Sequence, residues 1–531
     1  MGRIVFTGVT VWAGRDCVPS EGWLLADGAR ILGSGSGAPP VAEAIPLPGH
    51  HVLPGFVDTH THLTVAAWQP SGGDAASWRG IPDALHAVRL AARAAPEAPW
   101  LLFWNASLHA WPEGRLPTAA EIDAAAPGRN VLISGIDLHR GACSSPALRL
   151  AAGRPADLSR DRRGRPTGEV WEAAYGVVLR HALAACADAA GSSGQEPLLA
   201  EARRHLALGI THAHDPYVPP SRHAAMRALA AATPLRLSWA AGPETGIFDP
   251  PADPAALPEG PYGEAGKEVK IFLDGADRCA LSLPYSALPG MIAGTLRESV
   301  RRRAVGPLRE GMGKKLTFGG GRVGTPYLRF TGAELVRTLA AYAEAGFTPR
   351  LHALGNAAAA QAASALAEAG VTGAILDHLT ALDARTADLI AGAGAIAGLQ
   401  PGFAARFGAQ FETTGLHRHL KIAGAGQLRR AGAATVFSSD HPCGFLDPLV
   451  NLRLAAGRTG TQPEEAVERS TAVAAASTWA AASIGAPGAG GLAAGECADL
   501  VVCDGDPFTA GTRVVQTWVS GNIAWKSDSG S

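Results

Sequence analysis

The sequence predicts an α/β barrel carrying a small composite β-domain built from both chain ends and a large insertion after the first barrel strand. Three observations carry this. The segments LVRTLAAYAEAGFTPRLHALG, AASALAEAGVTGAILDHL, RTADLIAGAGAIAGLQP and GQLRRAGAATVFSSDHP repeat one unit, a helix, a glycine stop and a short apolar strand, and such alternation builds a parallel sheet. The strands of these units end in His352, His378, Gln400 and Asp440. Polar groups at the carboxyl ends of successive apolar strands converge in a barrel, whereas an open sheet scatters them along an edge. Residues 1–53 and 489–531 both read as short strands with turn signals. Neither end has enough strands to bury a face alone, so the two are expected to form one domain around a barrel spanning 54–488, with 65–195 as the inserted subdomain.

The first barrel strand is expected in VLPGFVDTHTH. Pro54 and Gly55 punctuate its start, and Phe56 and Val57 suit a buried strand. In an extended chain Asp58, His60 and His62 share one face. Two imidazoles in that register can chelate one metal ion, and nothing apolar accounts for burying both. Asp58 is read as orienting a ligand rather than binding metal.

The insertion shows no simple strand–helix alternation, although IPDALHAVRLAARAAPE has clear helical periodicity. It holds six of the twelve tryptophans, Trp68, Trp78, Trp100, Trp104, Trp111 and Trp171. They either form its own core or make an aromatic wall over the barrel mouth, with Trp104 and Trp111 the residues to test.

Alternation resumes at Glu201, and KEVKIFLDG follows as a buried strand. The chain has six lysines against forty arginines, and Lys270 lies between Val269 and Ile271. A lysine buried in a strand must lose its charge or find a partner; on an edge strand it would snorkel instead. The stretch 275–330 carries Arg301, Arg302, Arg303 and Arg322 among many glycines. It reads as a solvated surface helix and loop, or as a lid bringing positive charge to an anionic substrate. GAGAIAG at 392–398 looks like a dinucleotide fingerprint, but its glycines precede a strand, whereas a phosphate loop follows one. The site candidates from separate strand ends are therefore His60, His62, Lys270, His352, His378 and Asp440, a donor set suited to a hydrolytic metal centre.

Composition narrows the partners. With 531 residues, 47% apolar and 18% charged, the chain can bury a large core. A net charge of −1 favours neither nucleic acid nor an anionic membrane. No run reaches the ~18 apolar residues of a membrane span, and the N-terminus lacks a signal-peptide pattern. Seven scattered cysteines with no C-x-x-C pair fit a reducing compartment, so a cytoplasmic protein is expected.

PGFVDTHTHL resembles the first-strand signature of the amidohydrolase superfamily, and GLAAGECADLVVCDGDPF resembles its C-terminal segment. WPEGRLPTAAEID, ISGIDLHRGACSSPALRLA and RDRRGRPTGEVWEAA are similar to the N-substituted formamide deformylase-like (YtcJ-like) branch, and the resemblance then covers nearly the whole chain. It implies a (β/α)8 TIM barrel holding one or two divalent ions, zinc being the expected metal. Lys270 would be N-carboxylated and bridge the ions, with His60, His62 and Asp440 on one and His352 and His378 on the other. Two dications are then balanced by a carbamate, an aspartate and a hydroxide beside four neutral imidazoles. The implied reaction is attack of metal-bound hydroxide on an amide, N-acyl or N-formyl carbonyl, with Asp440 carrying the proton to the departing nitrogen. A small, apolar or aromatic N-acyl compound is the expected substrate, and a homodimer is compatible with the sequence. The alternative is a barrel lyase or aldolase acting on a C–C bond, through the same metal site or a Lys270 Schiff base. Three positions depart from the branch or stand near the site: Asn356 replaces the usual acidic residue, Asp377 the usual glutamate, and Cys443 follows Asp440 as a pocket residue or filler.

Overall fold

The computed structural model describes residues 2–69, 72–107, 111–191, 195–244, 249, 253–257, 266–313, 315–458, 462–486 and 488–527. At its centre are eight parallel strands in sequence order: β1 (Phe56–Asp58), β2 (Ile210–Val218), β3 (Arg236–Ala241), β4 (Glu268–Phe272), β5 (Thr348–Ala353), β6 (Ile375–His378), β7 (Ile396–Leu399) and β8 (Ala434–Phe437). They are short and almost wholly buried, as strands covered on both faces must be. The first and last strands meet at the mouth, where Asp440 N donates to His60 O at 2.7 Å and His62 N donates to His441 O at 2.7 Å. This seam closes the sheet into a TIM barrel.

The helices Gly332–Glu344, Asn356–Ala369, Ala384–Gly392 and Ala425–Arg430 precede β5, β6, β7 and β8, matching the four repeated units. Of the glycines of GAGAIAG, Gly392 ends a helix, Gly394 follows it and Gly398 lies within β7, so they precede or join a strand instead of following one as a phosphate loop does.

One expectation needs correcting at the start of the barrel. The stretch expected as one extended strand is two strands on two sheets, because His51–Pro54 pairs antiparallel with Leu500–Cys503 while Phe56–Asp58 pairs parallel with β2. Gly55 is the pivot, since a Cβ there would lie 2.3 Å from Thr211 Oγ1. Extended pairing stops at Asp58, so His60 and His62 reach the site from the turn that follows rather than from a strand face.

His51–Pro54 belongs to an eight-stranded sheet to which both chain ends contribute, Arg3–Ala13, Val18–Asp27, Arg30–Gly35 and Glu43–Pro46 from one and Leu500–Cys503, Val514–Val519 and Asn522–Lys526 from the other. Phe6, Val11, Leu24, Ile31, Leu500 and Trp518 fill its buried face.

The insertion folds around its own six-stranded sheet, with central strands Leu101–Ala106, Val131–Gly135, Arg140–Cys143 and Pro166–Trp171. Trp104 packs in the apolar cluster on one side of this sheet and Trp111 in the cluster on the other, both almost fully buried. They are core residues, and the aromatic-wall reading fails for both. Arg301 and Arg302 pair with Glu298 on the outer helix Leu288–Arg302, and Arg322 bonds Ser282. None of these arginines lines the central cavity, so the charged-lid reading fails too. No helix among the described residues is long and apolar enough to cross a membrane.

Candidate active site

The carboxyl ends of the barrel strands open into a cavity of about 520 Å³. His60, His62, Lys270, His352, His378 and Asp440 all line it, so the structure brings every site residue expected from the sequence to one place. Strand register explains the convergence. Phe272, His352 and Asp377 of three adjacent strands share one rung, and His378, opposite Ala353 on the next, leaves the extended strand with φ 77°.

Asp440 is the hub. Its Oδ1 lies 3.3 Å from Nε2 of both His60 and His62, and its Oδ2 lies 3.8 Å from His378 Nδ1. His378 and Asp440 both have positive φ, at 77° and 52°, in a region that costs a non-glycine residue of order 1 kcal/mol or more. Such strain is tolerated where surrounding structure fixes a functional geometry. The His60 ring lies 5.1 Å from that of His62 and 4.8 Å from that of His378, and His378 lies 4.5 Å from His352, centroid to centroid.

Burial sets the charge states. It holds the imidazoles of His60 and His352 well below the ordinary histidine range and brings His378 down to about 4. At Asp440 burial works upward but is outweighed by His60, His62 and His378, so the carboxyl stays well below the usual carboxylate range. At His62 burial works downward, yet the neighbouring carboxylates of Asp215 and Asp440 raise it to about 9. Neutral His60, His352 and His378 beside an ionised Asp440 have the protonation states that metal ligands require, whereas His62, held cationic by its two carboxylate neighbours, has to give up its proton to bind a metal.

Lys270 is 1% exposed, which excludes the snorkelling alternative. Burial lowers its pKa, and its partner is Asp377, to which Nζ donates. Asp377 also accepts from Arg350 Nε at 2.8 Å and Nη2 at 2.9 Å. Lys270 and Arg350 are register partners on β4 and β5, so both reach the same carboxylate. The residue standing in place of the usual glutamate is thus the anion that neutralises two buried cations.

Whether these residues suit a divalent ion can be judged from their unsatisfied atoms. His60, His378 and Asp440 are buried, and one ligand atom from each falls within a common 4.8 Å. Asp440 Oδ1 and His352 Nε2 are buried atoms without a hydrogen-bond partner. Lone pairs left in that state are costly unless a cation takes them. The donor set therefore fits.

Sequence reasoning missed several residues here. Arg350 sits two residues before His352 on a buried strand, a spacing that could have exposed it. Asp215 Oδ1 lies 3.8 Å from His62 Nδ1, and the ring of His139, from the insertion, lies 5.1 Å from that of His352. The order of the residues gave no signal for either contact, since both depend on tertiary placement. Asn356 bonds Ser282 and Asp383 and does not line the cavity, whereas Cys443 does line it.

Comparisons with known proteins agree with this geometry. The chain is 25% identical to the N-substituted formamide deformylase of Arthrobacter pascens, over 97% of this chain and 96% of that protein. It is 30% identical over 151 residues to the putative amidohydrolase YtcJ of Bacillus subtilis (strain 168), covering 27% of this chain and 28% of the other. In fold it is similar to the crystal structure of an uncharacterized metal-dependent hydrolase from Pyrococcus furiosus, with a TM-score of 0.65 and 19% identity over 96% of this chain and all (100%) of that one. The lyase and Schiff-base alternative finds no support in them. Residues 43–524 match the amidohydrolase family. With that match spanning most of its length, the chain belongs to the amidohydrolase family and is a metal-dependent hydrolase of carbon–nitrogen bonds.

Proposed function

We propose that this enzyme hydrolyses the amide, N-acyl or N-formyl bond of a small, largely apolar compound in the cytoplasm. His60, His62 and Asp440 would hold one divalent ion and His352 and His378 a second, with N-carboxylated Lys270 serving both and zinc as the metal. The observation that carries this reading is that ligand atoms of His60, His378 and Asp440 lie within 4.8 Å of one another, because it joins residues of both proposed halves in one compact centre.

A divalent ion bound there supplies Lewis acidity toward a carbonyl oxygen and a nucleophilic water near neutral pH. Asp440, ionised and within reach of His60 and His62, accepts the proton of the attacking water and returns it to the departing nitrogen. Asp215 steadies His62, and Thr64 N and Oγ1 each donate to Asp215 Oδ2 at 3.2 Å. Trp68, Leu179, Leu183, Leu198 and Met226 form the apolar wall that receives the substrate body and keeps bulk water from the reacting carbonyl. Burial lowers the pKa of Lys270 and so favours the free amine, the form that reacts with carbon dioxide.

A panel of N-formyl and N-acyl amines with apolar substituents tests the proposal. Amine release should vanish on chelation and return on adding zinc. Metal-loaded enzyme that releases no amine from any member of the panel defeats it.

A further inference from the structure

Among the polar side chains that the insertion brings to the cavity, His139 stands beside the proposed metal ligands. His139 lies in the turn between strands Val131–Gly135 and Arg140–Cys143, lines the cavity, and holds its ring 5.1 Å from that of His352, tilted at an interplanar angle of 34°. Its Nδ1 is 2.9 Å from Glu172 Oε2, and Glu172 N donates to His139 O at 2.8 Å. Side chain and backbone of one residue thus hold side chain and backbone of the other.

The surroundings are shaped around this pair. Leu138 and Glu172 are non-glycine residues at φ 56° and 41°. Left-handed backbone of this kind costs of order 1–3 kcal/mol per residue and persists only where neighbours impose it. The Glu172 carboxylate presses on the loop after β4 so closely that a Cβ on Gly275 would lie 2.0 Å from Oε1. Arg140, next to His139, is locked by Glu169 and by Asp277 at 3.2 Å, and the guanidinium groups of Arg140 and Arg278 lie 4.1 Å and 4.7 Å from the centre of the Trp171 ring. A carboxylate that fixes both the tautomer and the orientation of an imidazole is the arrangement hydrolytic sites use for a residue that meets the reacting group. A simple pin between insertion and barrel would need no imidazole in the cavity wall.

We propose that His139 contacts the scissile amide of the bound substrate by a hydrogen bond, and that Glu172 is the positioning residue that fixes its ring. This rests on the amide-hydrolase reading of the cavity. The insertion then completes the active site instead of merely covering it, and amides are selected partly by a residue from outside the barrel.

The test compares wild type with His139→Ala, His139→Gln and Glu172→Gln, all metal-loaded, on the best N-acyl amine of the panel. His139→Ala should keep its metal content and a KM within about threefold while kcat falls about 100-fold or more, the loss typical of removing one hydrogen bond made to the transition state. Added imidazole should restore part of the lost kcat, which a purely structural role would not allow. Glu172→Gln should give a smaller fall in kcat at unchanged metal content. If His139→Ala does not fold, His139→Gln keeps the side-chain volume and should still show the kcat loss. A folded, metal-loaded His139 variant with kcat within about threefold of wild type overturns the proposal, as does metal loss in step with activity. Should wild type hydrolyse no amide at all, the hydrolytic reading has failed separately. Affinity for apolar N-alkyl sulfonamides, measured by calorimetry, then decides for His139 alone: weaker binding by His139→Ala supports the contact, and equal binding overturns it.

Discussion

Asp440 meets His60 twice, by a backbone hydrogen bond of 2.7 Å and through its Oδ1 at 3.3 Å from His60 Nε2. The two residues follow the last and first barrel strands, so closure of the barrel and assembly of the site are one structural event.

Asp58 makes that seam testable. Its Oδ1 accepts from His60 N at 3.2 Å and Ser439 N at 3.0 Å, tying both sides together beneath the ligands, and burial raises its pKa to about 6. Asp58→Ala should destabilise the fold by about 1–3 kcal/mol, the cost of leaving buried donors unpaired. It should also weaken metal binding by roughly 10–100-fold, as expected when a ligand's support is lost. Calorimetric unfolding and metal titration check both, and unchanged metal affinity would reduce Asp58 to a purely structural residue.

Lys270→Ala should lose metal and activity together, with partial rescue by bicarbonate or a short carboxylic acid. Lys270→Arg should fail as well, since a guanidinium keeps its charge and cannot be carboxylated. Native mass analysis under non-acidic conditions looks for the added carboxyl group. A free ammonium at Lys270 in a fully active, metal-loaded enzyme would remove the carbamate from the account.

The tryptophans separate core from cavity. Trp104→Ala and Trp111→Ala should each cost about 3–5 kcal/mol of stability through lost packing, while the folded fraction keeps its kinetics. Trp68→Ala, which opens the cavity wall, should raise KM for apolar substrates. A KM change at Trp104 with stability intact would reverse this assignment.

Acid should weaken the fold partly through His212. Burial lowers its pKa from 6.5 to about 3, and Nε2 is 2.9 Å from Ser238 Oγ. Between those values the unfolded chain binds the proton and the folded chain does not, so stability is complete above pH 6.5 and falls as the pH drops toward 3. The slope from this group approaches roughly 1.4 kcal/mol per pH unit. Urea unfolding between pH 7 and 5 should show a shallower dependence for His212→Gln than for the parent, and equal slopes would contradict the assignment.

Much of the architecture was legible because helix, glycine and strand repeat in phase from Leu335 to Asp440, and because polar residues close each strand. The His60–His62 pair was legible as chemistry but not as geometry. Only three dimensions reveal that Gly55 must turn the chain between two sheets, since the obstacle is Thr211, far away in sequence. Tryptophan count alone could not place the insertion's aromatics, because a sheet with two covered faces uses large side chains for packing just as a cavity wall does. His139 and Glu172 were invisible for a related reason: their pairing depends on a hairpin end meeting a helix start 33 residues later.

The most direct test of the metal-centred account is quantitative metal analysis of enzyme purified without added metal, paired with amide hydrolysis before and after chelation. The account predicts about one to two divalent ions per chain, their removal abolishing amine release and zinc restoring it, with binding lost in Asp440→Ala. Fewer than about one ion per chain, no gain on reconstitution, and hydrolysis that survives chelation would contradict it.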